Sequence, residues 1–262
     1  MSKAAWLPTA SGKYRGMLQI LRYNWPYYVV AMAAGLVGPV LLMRVPLSTP
    51  LRVLIGLGSS YALLGLFGSL LVSHYVYDLS ELFRWQWVAE TLGARPAQWV
   101  NIHAGVDDAS CALRTLFPEA QATVWEIYDP TEMTEPSIAR ARRRRPADRV
   151  ATRVDFRNLP LQSGACDAAF VIFTAHELRS PQARLRFFQE LHRVLKPWGQ
   201  LLLVEHVRDL RNFVAFGPGF LHFYPSREWV RLAGEARFSI AREFNVTPFV
   251  KVFLLTRPAH PW

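Results

Sequence analysis

The chain has 262 residues, 51% apolar and 13% aromatic, with a formal net charge of +10. This composition excludes a disordered chain and supplies an ample core, while the charge asks for an anionic partner: membrane phosphates, nucleic acid or an acidic substrate. Two cysteines, Cys111 and Cys166, exclude a disulfide framework and a cysteine zinc site, and read as small core thiols of a reducing compartment.

No charged residue occurs between Arg22 and Arg44, nor between Arg52 and Asp78. Each window reaches the roughly 20 apolar residues that span a bilayer. Trp25, Tyr27 and Tyr28 open the first, and Tyr75 and Tyr77 close the second, as an interfacial belt requires. Gly56, Gly58, Ser59, Gly65, Gly68 and Ser69 offer small faces for helix contact and permit self-association. A joint with Pro46 and Pro50 predicts a transmembrane hairpin, with a re-entrant hairpin or a pair of buried core helices as the alternatives. Lys3, Lys13, Arg15 and Arg22 outnumber Arg44 and Arg52, which puts both ends and the following domain on the cytoplasmic side of an inner membrane. The expected divisions are a basic segment (1–22), the hairpin (23–77), an amphipathic connector helix and linker (78–96) and an α/β domain (97–262).

Within that domain, Gln98 to Ile102 predicts a strand, His103 to Ser110 a turn, Cys111 to Phe117 a helix and Ala122 to Tyr128 a second strand. Ile138 to Arg145 carries Arg140, Arg142, Arg143, Arg144 and Arg145, which suits a solvated helix face or lipid headgroups. The run has no interleaved aromatics, so nucleic acid is not the expected partner. Val150 to Val154 predicts a short third strand. Ala168 to Phe173 is an apolar run of strand length. Leu185, Phe188, Leu191, Val194 and Leu195 then recur at helical spacing, Lys196-Pro197-Trp198-Gly199 stops the helix, and Gln200 to Val204 is a further strand. Strand, helix and strand with short joints form a right-handed parallel βαβ unit. Asn212 to Tyr224 is apolar and aromatic around Gly217-Pro218-Gly219 and reads as a lid or pocket wall, or as packing against the hairpin. Phe238 to Phe244 and Pro248 to Thr256 close the chain as a strand pair.

Asn158-Leu159-Pro160-Leu161, Cys166-Asp167, and Glu190-Leu191-His192-Arg193-Val194-Leu195-Lys196-Pro197-Trp198-Gly199 carry a resemblance. They are similar to the second half of a class I S-adenosylmethionine-dependent methyltransferase of the type 11 kind. The implied fold is α/β, a Rossmann-like class I methyltransferase sheet preceded here by the transmembrane hairpin. The implied cofactor is S-adenosylmethionine. The family's glycine-rich turn is degenerate: Gly105 remains, while His103 and Asp107 replace glycines. Cofactor contacts then fall to His103, Gly105, Asp129, Asp155, Phe156 and Thr174. Glu126 competes with Asp129 for the ribose hydroxyls, and Asp129 fits the end of a strand reaching Tyr128. Tyr77 and Asp78 would touch the cofactor or anchor the interface.

Ligands of open parallel sheets sit beyond the carboxyl ends of the strands. That places His176, Glu205 and His206 as candidate catalytic groups, with a histidine removing a proton from the acceptor. Glu177, Arg179, Arg208, Phe216, His222 and Phe223 are the candidate acceptor-binding residues. A metal site from His206, Asp209 and His222 is conceivable, but their spacing is not diagnostic and no metal is expected. The reading is a membrane-anchored methyltransferase acting on a hydrophobic, lipid-like or isoprenoid acceptor. The alternatives are a membrane-tethered scaffold that keeps the fold without turnover, and a nucleic-acid methyltransferase.

Overall fold

The computed structural model describes residues 13–144 and 151–259. Lys3, Arg145 and Val150, named above, lie outside them. The described residues divide into two compact units: 13–80 with Asp209–Leu221, and 81–208 with 222–259.

The first unit is helical. Its long helices are α1 (Arg15–Arg44) and α2 (Thr49–His74). Pro50, in the first turn of α2, has its φ already set for a helix and wastes no amide donor there. Pro26 removes a hydrogen bond inside α1, and Asn24 leaves helical geometry just before it (φ −114°, ψ 16°). The helices touch most closely at glycines of α1; of the α2 glycines, Gly56 comes near, with an added Cβ 3.9 Å from Leu42 Cδ1. A Cβ on Gly38 would lie 1.8 Å from Ser59 Oγ, and one on Gly35 would lie 2.4 Å from Leu63 Cδ2. At Gly58, Gly65 and Gly68 an added Cβ would meet nothing within 4 Å among the described residues, so these are not the close-contact positions expected from sequence. Tyr28 OH and Ser69 Oγ lie 2.8 Å apart, and Ser59 Oγ donates to the Ala34 carbonyl at 3.2 Å.

A π-helical turn, Tyr75–Leu79, follows α2. Its Asp78 accepts from the amides of Gly16 (2.6 Å) and Met17 (3.1 Å), two of the orphan donors at the start of α1, and contacts His74 Nδ1 at 2.9 Å. Asp78 therefore caps a helix remote in sequence. The short helix Leu210–Phe216 belongs to this unit and packs on α2. Gly217 follows it at φ +53°, with Tyr61 OH 3.2 Å from where its Cβ would stand. Of the two readings for Asn212 to Tyr224, packing against the hairpin describes this part of the segment.

The expected connector helix from Asp78 to Leu92 is broken. After the π turn come a 3₁₀ turn, Glu81–Arg84, and α3 (Gln86–Leu92). Trp85 between them has φ +65°, a left-handed conformation that no helix interior accepts.

The second unit contains a seven-stranded sheet among the described residues. Its strands are β1 (Gln98–His103), β2 (Gln121–Glu126), β3 (Thr152–Arg153), β4 (Cys166–Ile172), β5 (Leu195–His206), β6 (Ser239–Thr247) and β7 (Val250–Thr256). They lie in the order β3-β2-β1-β4-β5-β7-β6, parallel except for β7, which runs antiparallel to β5 and β6. The connecting helices are α4 (Ser110–Leu116), α5 (Pro136–Arg144) and α6 (Pro181–Val194); α7 is Leu210–Phe216, and α8 is Ser226–Glu235.

Alternation sends Trp99 and Phe170 to one face, where Phe170 stacks on Phe117, and Val100, Ile102 and Val171 to the other. On that second face Phe187 and Phe188 of α6 and Trp229 of α8 are fully buried, with Phe188 stacked on Trp229. The stop at Lys196 to Gly199 is absorbed into β5 as a register shift against β4, with Trp198 at φ +65°. Cys166 is buried, as expected, but Cys111 is exposed, because it lies on the outer side of α4.

Candidate active site

Two groups of polar side chains gather at the carboxyl ends of the strands. The first lies beyond β1 and β2. At the end of β1 the Gly105 amide donates to His103 Nδ1 at 3.0 Å. Gly105 has φ +105°, which a side chain rarely tolerates. Asp107 stands where the resemblance leads one to expect glycine. Its Oδ1 accepts from the amides of Ala109 (3.1 Å) and Ser110 (2.9 Å) and from Asn101 Nδ2 (3.1 Å). A carboxylate thus opens α4 where glycine would leave backbone bare.

β2 ends at Glu126, two residues earlier than the sequence suggests, and Glu126 pairs in register with His103. The acidic residue closing this strand is therefore Glu126, not Asp129. Glu126 is buried and ion-paired with Arg142 and, at 3.4 Å, with Arg153. Asp129 instead holds a turn, accepting from the Thr131 hydroxyl at 2.6 Å and from Arg157 at 2.9 Å. The Thr131 hydrogen bond and the Arg157 guanidinium outweigh partial burial and draw its carboxyl down to about 2. Asp155 is exposed and accepts from the Arg157 amide at 2.9 Å. Phe156 is a core residue, edge-on to Phe187. Thr174 is buried, and its hydroxyl donates to the Ile172 carbonyl at 2.9 Å.

Arg142 is the residue that sequence reasoning missed here. A run of arginines on a short helix reads as a solvated face, yet this one turns inward. Its guanidinium lies over the Tyr128 ring at 3.9 Å and pairs with Glu126, and a Cβ on Gly105 would sit 2.0 Å from its Nη1. The donor set fits S-adenosylmethionine: a carboxylate with two acceptor oxygens for ribose hydroxyls, and bare backbone at Gly105 for close approach. Arg142 occupies the mouth of that cradle.

The second group lies beyond β4 and β5. Phe173, just past β4, has φ +48°, a strained conformation of the kind that concentrates at functional sites. It leads into the 3₁₀ turn Ala175–Glu177. His176, Glu177 and Glu205 are all buried. His176 Nδ1 lies 2.5 Å from Glu205 Oε2, and its Nε2 lies 3.4 Å from Glu177 Oε1. His222 joins them, with Nε2 3.7 Å from Glu177 Oε1 and Nδ1 3.4 Å from Glu135 Oε1. Burial opposes charge on His176, but the two carboxylates outweigh it and raise its pKa. Burial likewise opposes charge on Glu177, and the two imidazoles bring its pKa down. Glu135 carried no sequence signal, because it stands alone ahead of α5.

Of the remaining candidates, Arg179 holds this group together. Arg179 Nη1 donates to the carbonyls of His176 (3.1 Å) and His222 (2.9 Å), which ties the two histidine backbones together. Arg208 Nε donates to the Phe223 carbonyl at 2.7 Å. His206 lies stacked between Phe173 (5.0 Å) and Phe223 (4.8 Å), with Nδ1 2.9 Å from the Phe249 carbonyl, a packed position unlike the catalytic one expected. Phe216 ends α7 in the helical unit, where Asp209 caps that helix through the Asn212 amide. His206, Asp209 and His222 do not form the ligand set weighed from sequence.

Known proteins resemble this chain. A family model described as a methyltransferase domain matches residues 108–203. No curated protein matches the chain. Among solved structures, a SAM-dependent methyltransferase from Aquifex aeolicus aligns with a TM-score of 0.51 at 21% identity, covering 68% of this chain and 91% of that one. The pyocyanin biosynthetic protein PhzM aligns at 0.53 and 15% identity, covering 95% of this chain and 74% of that one. A geranyl diphosphate C-methyltransferase from Streptomyces coelicolor A3(2) aligns at 0.50 and 14% identity, over 70% and 82% of the two chains. With its strand order and the antiparallel β7, the α/β unit has the fold of the class I methyltransferases.

Proposed function

We propose that the protein is a membrane-anchored S-adenosylmethionine-dependent methyltransferase whose acceptor is a hydrophobic molecule with a polar end. The observation that carries this reading is the buried His176–Glu205 pair, flanked by Glu177, at the strand ends of a methyltransferase fold. Bound S-adenosylmethionine supplies an electrophilic methyl group on a sulfonium. The chain's own residues align the reactants and handle the proton. Glu126 and the Gly105 turn hold the cofactor once Arg142 leaves them. Glu205 fixes the His176 ring and favours its protonated form, so the His176–Glu177 pair hydrogen-bonds the acceptor's oxygen, with the Glu177 carboxylate as the group that takes its proton.

The helical unit supports the membrane part. Both long helices are long and apolar enough to span a bilayer, yet only 11% of each apolar window is buried. Val30, Leu54, Leu57, Leu64, Phe67 and Leu71 are each more than half exposed. Burying a side chain of this kind stabilises by about 1.5–3 kcal/mol, so a water-exposed hairpin forgoes that at every position and a lipid-embedded one does not. Such an anchor holds the enzyme beside acceptors that partition into lipid.

The test is transfer of radiolabelled methyl from S-adenosylmethionine to a membrane lipid extract by the detergent-purified full chain. Label should enter an organic-soluble product, and Glu205→Gln should cut the rate about a hundredfold. Calorimetry that shows no binding at millimolar cofactor would instead favour the scaffold reading.

A further inference from the structure

We infer that His176, Glu177 and His222 form a binding site for a divalent transition-metal ion of the zinc class. These residues offer one ligand atom each, all within 4.8 Å of one another. In a tetrahedral site with bonds of about 2.0–2.2 Å, neighbouring ligand atoms lie about 3.3–3.6 Å apart. The two distances that meet at Glu177 Oε1, 3.4 Å to His176 and 3.7 Å to His222, are already near that value.

Three further features distinguish this group from an ordinary ion pair. First, Glu177 Oε2 is buried without a hydrogen-bond partner among the described residues, and Glu177 is only 6% exposed. An unsatisfied buried carboxylate oxygen is costly, and a cation held by both oxygens of Glu177 would satisfy it. Second, each histidine presents Nε2 to Glu177 and Nδ1 to another carboxylate, Glu205 for His176 and Glu135 for His222. That is the outer arrangement metal-bound histidines use: it fixes the ring and raises its basicity. Third, Arg179 bridges the backbone carbonyls of both histidines, so residues 46 positions apart are held in register. Two imidazoles and one carboxylate suit zinc, iron(II) or cobalt(II) better than magnesium or calcium, and three protein ligands leave a position open. The ion would take the place of the proton held between His176 and Glu177, and its open position would face an acceptor oxygen.

The site is independent of cofactor binding and is tested without it. Untagged full-length protein in detergent, stripped with chelator, is titrated with cobalt(II) and then with zinc(II). One cobalt(II) per chain should give visible d–d absorption that zinc(II) displaces. His222→Ala should weaken the affinity at least a hundredfold, and Glu135→Gln about tenfold. His222 is half-buried, and circular dichroism checks that each variant folds. If a variant fails to fold, the wild-type spectrum and stoichiometry decide alone. No absorption with the wild type, or equal affinity in folded His222→Ala, overturns the site and leaves His176 and Glu177 as an ion pair.

Discussion

Beyond β1 and β2, Glu126 is met by guanidinium groups, from Arg142 and Arg153. Beyond β4 and β5, Glu205, Glu177 and Glu135 are met by the imidazoles of His176 and His222. Both edges bury carboxylates, and both compensate them, but the partners differ in kind. A guanidinium is always charged, carries donors alone and lies flat on an aromatic ring, so Arg142 fills the cradle it neutralises. An imidazole exchanges its proton and can accept as well as donate. The first edge is therefore closed by its own counter-ion, and the second is ready for a proton, a cation or an acceptor.

The largest expected effect lies on the second edge. His176→Ala should lower methyl transfer by a hundredfold or more, with less than a threefold change in cofactor affinity. Equal losses in both would mean that the edges are not separable. On the first edge, Arg142→Ala should tighten cofactor binding about tenfold in calorimetry, because the bound state no longer has to displace a seated side chain. Glu126→Gln should weaken it by a similar factor. An unchanged affinity in Arg142→Ala would show that Arg142 does not guard the cradle.

Asp129 should matter less. Asp129→Asn is expected to change cofactor affinity by less than threefold, and a larger loss would return the ribose role to it. Its folded carboxyl sits near 2, below the usual 3.8, so its contribution to stability is present above 3.8 and fades as pH falls through about 2. That contribution is small, since solvent screens the partly exposed Asp129–Arg157 pair. Denaturant midpoints for Asp129→Asn and wild type should differ at pH 6 and converge toward pH 2. Smallest of all is a labelling contrast. Burial pushes the Cys166 thiol up to about 12, so a maleimide at pH 7 should modify the exposed Cys111 on α4 and leave Cys166 intact until the chain unfolds. Cys111 then serves as a reporter beside the first edge.

The sheet's second half was legible because local signals agreed there. An apolar strand, a 3.6-residue periodicity and a Pro-Gly stop all pointed to β4, α6 and β5. Sequence leaves Glu126 only as a competitor to Asp129, because the acidic residue that closes a strand depends on where the strand ends, and Ile127 and Tyr128 look like strand residues. Arg142 was hidden because its direction depends on Glu126, 16 residues earlier. The connector helix failed at Trp85, whose positive φ leaves an apolar pattern untouched. His222 could be named as a candidate, but its convergence on His176 and Glu177 is set by Arg179 reaching two carbonyls. No sequence spacing encodes that.

The assignment of Asp209–Leu221 to the helical unit has a practical consequence for dissecting the protein. The chain passes from one unit to the other at Ser80, returns after Arg208 and leaves again after Leu221. The helical unit is thus not a tail that one cut removes. A chain begun at Glu81 would still carry α7, stripped of α2, with Ala215 newly bare beside the already exposed Leu210 and Val214. Such a truncation should aggregate without detergent. A soluble form would need residues 209–221 replaced by a short polar loop as well as the hairpin removed.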